Sequence, residues 1–311
     1  MTLSLKTAGG RTSGPLRGTL STRRRPRTRI RRWLSALPFI GPTWLLVVFT
    51  GILPLVFALW LSVTNQGPNA AGNEFVGLQN YLQAVFTPSF GESLAVTAIF
   101  VVFGVVLQFV IAYALASFLY LELRFFQVAR TILLIPITIT PVIVGLMFRF
   151  MFTPDIGVVF FAEKAIGINI PWFTDPLWGR VFIIMLDTWL TTPFLVLMIL
   201  AGMSGLSAEP LEAASLDGAG WWQRTRFVTL PMLLPVITVA LLVRIVDAAR
   251  MFDQVYSSTR GGPGTSTLTV SILAYNDTFQ YFEFGHGAAI AIALTVLMFP
   301  VYFFYIRLTK V

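Results

Sequence analysis

Cysteine is absent from the 311-residue sequence, and histidine occurs only once, at His286. The lack of cysteine excludes disulfides, thiolate metal sites and cysteine nucleophiles. A single histidine cannot build a histidine-rich metal site. We therefore expect no metal and no cofactor in this chain, and no covalent chemistry from it.

Charged residues are also scarce, at 12% of the sequence, whereas a soluble domain carries about 25%. Hydrophobic residues make up 56%, and the mean hydropathy is +0.78. Lipid must cover part of such a surface, and charge-free runs reach the roughly 20 residues that cross a bilayer. The pattern predicts an all-α polytopic membrane protein with about six spans, at approximately 37–62, 94–121, 131–152, 181–203, 232–255 and 286–306.

No glycine is followed by lysine, so the sequence has no G-x-x-x-x-G-K-[ST] phosphate loop. It also lacks the H-E-x-x-H pattern of zinc-dependent hydrolases and the G-x-S-x-G pattern of serine hydrolases. Both absences count against a membrane-embedded enzyme. The glycine-rich stretch "RGGPGTS" (260–266) is better interpreted as a turn in an outward loop. We therefore expect no enzymatic activity from this chain.

The net charge of +8 is concentrated at the N-terminus, where ten of the 22 lysines and arginines lie within the first 32 residues. No aromatic platform or nucleic-acid-binding motif accompanies them, so no nucleic acid is expected as a partner. We interpret residues 1–33 as a basic cytoplasmic tail that orients the first span. Both termini of the transmembrane domain, 34–311, then face the cytoplasm, with 16 basic residues inside and three outside.

Residues 204–231 form the largest cytoplasmic loop in this topology, between spans four and five. Ser207 suits the N-cap of a short helix, and Gly218 suits the left-handed residue that ends it. The "EAA" segment (212–214) gives this helix a face with almost no side-chain bulk, which another protein's backbone can approach closely. The residues alone leave two interpretations open, a docking helix and an ordinary alanine-rich linker.

The stretch "EAASLDGAG" (212–220), followed by "LP" at 230–231, resembles the E-A-A loop of permease subunits of binding-protein-dependent ABC importers. In that family the loop is a coupling helix that docks on a separate ATPase. The resemblance implies an ATPase dimer, a second homologous permease subunit and an extracytoplasmic solute-binding protein as partners, in a bacterial plasma membrane. It also implies that six residues couple the chain to the ATPase: Glu212, Ala213, Ala214, Asp217, Gly218 and Ala219.

Three further stretches resemble the carbohydrate branch of that family, especially the larger membrane subunit of maltose importers: "WFTDP" (172–176), "DTWLTTPF" (187–194) and "TRGGP" (259–263). The resemblance implies that the solute is a sugar or a related polyhydroxyl compound. The sugar-contacting helix faces of that subunit fall, by position, on Asp187, Leu190, Thr191, Phe194, Arg244, Ala248 and Met251. Asp187 stands where that subunit has an asparagine, and Arg244 where it has a serine. Ala248 and Met251 each replace an asparagine, so maltose itself is not implied.

Several charged residues fall within or beside the predicted spans, where each costs about 2.5–3.5 kcal/mol at a helix centre. Asp247 is a helical neighbour of both Arg244 and Arg250 at a spacing of three residues, and it joins the predicted pathway. These charges either pair within the helix bundle or line a solute pathway, and the sequence leaves both possibilities open.

The alternative to an importer subunit is a stand-alone secondary transporter or channel that uses intramembrane Asp and Arg residues.

Overall fold

A computed structural model describes residues 41–67, 74–120, 128 and 131–309. The predicted basic tail, 1–33, lies outside the described residues. The chain divides into two compact units, Met1–Pro54 and Leu55–Val311. Within the first unit, residues 41–54 are helical and most of their side chains are exposed, as expected for a helix that faces lipid.

Helices dominate the described part of the chain. A two-stranded antiparallel sheet pairs β1 (Thr64–Asn65) with β2 (Glu74–Phe75). In chain order the helices are α1 (Gly41–Ser62), α2 (Gln79–Val85), α3 (Pro88–Leu119), α4 (Ile135–Thr138), α5 (Pro141–Phe152), α6 (Val158–Ala165), α7 (Pro176–Ser204), α8 (Ala208–Leu216), α9 (Trp221–Ala249), α10 (Asp253–Ser258), α11 (Val270–Tyr275) and α12 (Phe284–Thr309).

Five of the described helices are long and apolar enough to cross a membrane: α1, α3, α7, α9 and the Phe284–Phe303 part of α12. They correspond to the first, second, fourth, fifth and sixth predicted spans, and the predicted all-α polytopic class is confirmed. α9 begins at Trp221, so the tryptophan pair at 221–222 lies in the first turn of the helix that forms the fifth span.

The third predicted span, 131–152, is wrong as a continuous helix. Thr140 is extended, with φ −61° and ψ 133°, and α5 starts afresh at Pro141. The ring of a proline disfavours the helical conformation in the preceding residue, which explains the break. α5 has 12 residues, a length of about 18 Å, whereas the hydrocarbon core of a bilayer is about 30 Å thick, so a crossing in this region also needs the residues before the break.

α7 is the central helix of the second unit, because its side chains enter two separate apolar cores. Towards its start, Phe182 and Leu186 are completely buried and pack with Phe100 of α3 and Phe148 of α5. Towards its end, α7 shares a second core with α3 and α9, which includes Val196, Ile199, Leu233 and Ile237. The start of α7 is fixed by Asp175, whose carboxylate accepts hydrogen bonds from two first-turn amides.

The predicted turn at "TRGGPGTST" (259–267) packs against the first turns of α7. Gly261 and Gly264 have φ values of +93° and +58°, which only glycine adopts without strain. Arg180 Nε donates a hydrogen bond to the Ser266 carbonyl at 3.0 Å. The loop therefore folds back on the same helix that leads towards the candidate site.

Candidate functional site

The short helix α8 has the ends that the sequence predicts. It begins directly after Ser207, and Gly218 follows it with φ +75°. The Gly218 amide donates to the Ser215 carbonyl at 3.1 Å and the Ala219 amide to the Ala214 carbonyl at 3.0 Å, which is a Schellman motif. The backbone of Ser207 is extended as an N-cap requires, but its side chain makes no capping hydrogen bond.

The surface of α8 is largely uncovered in the isolated chain. Of the six predicted coupling residues, Glu212, Ala213, Asp217 and Gly218 are exposed, while Ala214 and Ala219 are half-buried. Leu216, in the last turn, is 88% exposed. The helix thus presents acidic, small and apolar groups to its surroundings, and contact of these six residues with an ATPase stays a prediction.

Four buried side chains from four helices form a polar cluster: Gln108 of α3, Asp187 of α7, Arg244 of α9 and Gln254 of α10. Asp187 and Arg244 form an ion pair and are 1% and 2% exposed. The Gln108 side chain donates to Asp187 Oδ2 at 2.8 Å and accepts from Arg244 Nε at 2.7 Å. Gln254 Nε2 donates to Asp187 Oδ1 at 3.2 Å. With the bond from Arg244 Nη1 to Asp247, each carboxylate oxygen of Asp187 and each guanidinium nitrogen of Arg244 has a partner within the protein.

A cavity of about 560 Å³ lies beside this polar cluster. Its volume falls in the range of about 300–1,000 Å³ that is usual for small-molecule sites. Of the eight predicted pathway residues, the six that line it are Leu190, Thr191, Phe194, Arg244, Asp247 and Met251. Asp187 and Ala248 are each 1% exposed and lie behind the wall. That any of the eight contacts solute stays a prediction.

The lining combines polar groups with apolar faces. The Asp247 side chain is 59% exposed and accepts one hydrogen bond from Arg244 Nη1 at 3.1 Å, so most of its carboxylate remains available. Arg250 and Asp253 are exposed at the corner between α9 and α10. Phe194 and Phe252 contribute aromatic side chains to the wall. Such a lining can hydrogen-bond a polyhydroxyl molecule and contact its apolar faces.

Several residues of this region escape sequence reasoning. Gln108 and Gln254 complete the polar cluster, and Phe252 and Tyr302 line the cavity. Gln108 carries a usable signal, because it is a lone amide in the apolar run "FGVVLQFVIA" (103–112) and a polar residue inside a span marks a packed or functional position. Gln254, Phe252 and Tyr302 carry none, since only the fold brings them to this place.

Within the described ranges, no group of three or more His, Asp and Glu side chains is placed to hold a metal ion.

Residues 108–310 match the family model of the binding-protein-dependent transport system inner membrane component. The chain belongs to this family. It is 33% identical to the trehalose/maltose transport system permease protein MalF of Thermococcus litoralis, with 89% of this chain and 93% of that protein covered. It is also 33% identical to the trehalose transport system permease protein SugA of Mycobacterium tuberculosis, with 88% of each chain covered.

The fold resembles that of a chain in the crystal structure of a bacterial alginate ABC transporter in complex with an alginate pentasaccharide-bound periplasmic protein. The TM-score is 0.77 at 21% identity, with 89% of this chain and 94% of that chain covered. Family membership confirms that the chain is a multi-pass membrane component of a binding-protein-dependent importer. It also agrees with the expectation of a transport subunit whose ATP is hydrolysed elsewhere.

Proposed function

We propose that the chain forms part of the translocation pathway for a sugar or a related polyhydroxyl solute. Two relatives named as trehalose or trehalose/maltose permeases support a carbohydrate. The cavity supports the same class, because Asp247, Arg250 and Asp253 can hydrogen-bond hydroxyl groups while Phe194 and Phe252 offer apolar faces. The observation that carries the proposal is the position of this cavity. It is lined by α7 and α9, the two helices that the exposed helix α8 joins.

The same proposal assigns a side of the membrane to each region. α8 docks on an ATPase in the cytoplasm, through Glu212, Ala213, Ala214, Asp217, Gly218 and Ala219. The N-terminal tail 1–33 and the C-terminus lie on that side, as the excess of inside arginines and lysines favours. A solute-binding protein delivers the sugar to the opposite side, and a second homologous permease subunit completes the pathway.

A stand-alone transporter that couples to protons is the competing function. It needs an intramembrane carboxylate that gains and loses a proton. Asp187 is a poor candidate because an arginine and two amides already bind its oxygens. The exposed Asp247 is the remaining candidate on α9, so the experiment must separate the two energy sources.

Reconstitution into liposomes tests the proposal. The chain, its ATPase, the second permease subunit and the solute-binding protein are assembled with ATP inside, and uptake of radiolabelled trehalose and maltose is measured. We expect uptake that needs ATP and persists when a protonophore collapses the proton gradient. Uptake that needs the gradient and proceeds without ATP contradicts the proposal. Transport of other solute classes alone contradicts the assignment to sugars.

A further inference from the structure

The two helices that flank α8, α7 and α9, contact each other near α8 and again further along both helices. Near α8, a Cβ atom on Gly202 of α7 would lie 3.0 Å from Leu233 Cδ2 and 3.1 Å from Val236 Cγ1 of α9, so the two helices approach closely there. Further from α8, the helices share one apolar core, which includes Val196, Ile199, Ile237 and Ala240.

The ion pair of Asp187 with Arg244 joins the same two helices further from α8, near the middle of α7 and in the last two turns of α9. Asp187 lies about 26 Å along α7 from Ser204, at 1.5 Å per residue. Among the described residues, this is the salt bridge that connects α7 to α9. The pair therefore stands at the end of the α7–α9 contact that is opposite to α8.

The polar cluster also fixes the corner where α9 ends. Arg244 lies before the break between α9 and α10, and Gln254 lies after this break. The side chains of both residues bind the carboxylate of Asp187. The corner residues between them, Arg250 and Phe252, line the cavity. One buried carboxylate on α7 thus holds both sides of a corner that forms part of the cavity wall.

We propose that Asp187 and Arg244 are positioning residues that make α7 and α9 move as one body, so that displacement of α8 reaches the cavity corner at 250–252. Apolar side chains permit two packed helices to shift against each other, whereas this ion pair has a single hydrogen-bonded arrangement in which all partners are satisfied. Removal of one partner leaves a charge buried without compensation. The inference rests on the proposed function, because it requires an ATPase that moves α8.

The first test measures the number of sugar molecules imported per ATP hydrolysed by the complete importer that carries Asp187→Asn. We expect the ATPase to respond to the loaded binding protein as before, while the import ratio falls about tenfold, within the usual range of coupling between two sites. The matched control is Glu163→Gln in α6. Glu163 is 9% exposed and accepts a hydrogen bond from Trp172 Nε1 at 2.7 Å, and it belongs neither to the polar cluster nor to the cavity lining. This control should keep the wild-type ratio.

A second variant covers the case in which Asp187→Asn does not assemble. Asp187→Leu combined with Arg244→Met replaces the pair with apolar side chains of similar volume, which is often neutral for stability. We expect an assembled complex with an active ATPase and a lowered import ratio. An assembled double variant with the wild-type ratio overturns the inference.

A thiol probe reports on the corner itself. The sequence contains no cysteine, so Asp253→Cys introduces one reactive thiol at the cavity. We expect its labelling rate to depend on bound ATP, and this dependence to disappear when Asp187→Asn is added. An unchanged dependence overturns the inference while the importer assignment stands. Absence of ATP-driven uptake by the wild-type complex overturns the proposed function instead.

Discussion

Arg224 Nη1 donates a hydrogen bond to Ser215 Oγ at 3.0 Å, which fastens α8 to the first turn of α9. The turn between the helices is closed by a second bond, from the Gly220 amide to Gln223 Oε1, also at 3.0 Å. Side chains as well as the connecting backbone therefore link α8 to α9.

Replacement of Arg224 by alanine should weaken docking of the ATPase. The variant removes one hydrogen bond from a charged donor, and we expect α8 to lose its fixed orientation at a cost of about 1 kcal/mol, or roughly a fivefold higher Kd. Titration of the ATPase onto the permease in nanodiscs measures this Kd. Arg226→Ala is the matched control, because Arg226 is exposed and its guanidinium lies 5.7 Å from the Phe227 ring. If both variants lost the same affinity for the ATPase, the effect would come from the lost positive charge and not from the hydrogen bond to Ser215.

The left-handed Gly218 permits a second test of α8. A Cβ atom there would meet no atom within 4 Å, so Gly218→Ala changes only the backbone preference. A left-handed alanine costs about 1–2 kcal/mol, and the end of α8 should unwind to relieve it. We expect ATPase binding to weaken by about tenfold, measured by the same titration. Gly220→Ala is the control, since Gly220 has φ −64°, and it should bind nearly as well as the wild type.

Asp247 is the residue of the cavity that we expect to contact the sugar most directly. Asp247→Asn keeps the shape of the side chain but removes the charge of a hydrogen-bond acceptor, a loss of about 1.5 kcal/mol. Uptake at saturating loaded binding protein should fall about tenfold. Asp155→Asn provides the comparison, because Asp155 is an exposed carboxylate away from the cavity lining. Undiminished uptake by Asp247→Asn would remove this residue from the pathway.

Local chemistry explains why α8 could be predicted residue by residue. Its end depends on the left-handed Gly218, and its start has Ser207 with the extended backbone of an N-cap, and both preferences act within one helical turn. Pro141 also signals the break in the third predicted span. The prediction of one continuous helix there rested on the apolar residues on both sides of this proline. Hydropathy measures only whether a segment prefers lipid, and it does not test whether the helix is continuous.

The polar cluster could be predicted only in part. The spacing of Arg244 and Asp247 correctly places them together on α9, where Arg244 Nη1 bonds Asp247 at 3.1 Å. The pairing of Arg244 with Asp187 joins residues that are far apart in sequence, and the sequence left it as one of two possibilities. Gln108 carries a signal as a lone amide in an apolar run, but its partners, Asp187 and Arg244, depend on how α3 packs on α7.

Packing of α5 against α10 supports the cavity corner, and glycine substitutions measure how tight it is. A Cβ atom on Gly145 would overlap Ser257 Oγ and lie 2.9 Å from the Gln254 carbonyl oxygen. Gly145→Ala should therefore destabilise the protein by about 1–3 kcal/mol. The matched control is Gly91→Ala in α3, where nothing lies within 4 Å. It should stabilise the helix by roughly 0.5–1 kcal/mol, because alanine loses less conformational freedom on folding.

Thermal unfolding of the detergent-solubilised protein measures both glycine variants, and the two melting temperatures should shift in opposite directions. Gly145→Ala should also reduce sugar uptake, since displacement of α10 moves Gln254 away from Asp187. If Gly145→Ala were as stable as Gly91→Ala, α10 would have to shift to make room for the added methyl group without loss of stability. Packing of α5 against α10 would then not position the corner, and the hydrogen bonds of Asp187 alone would do so.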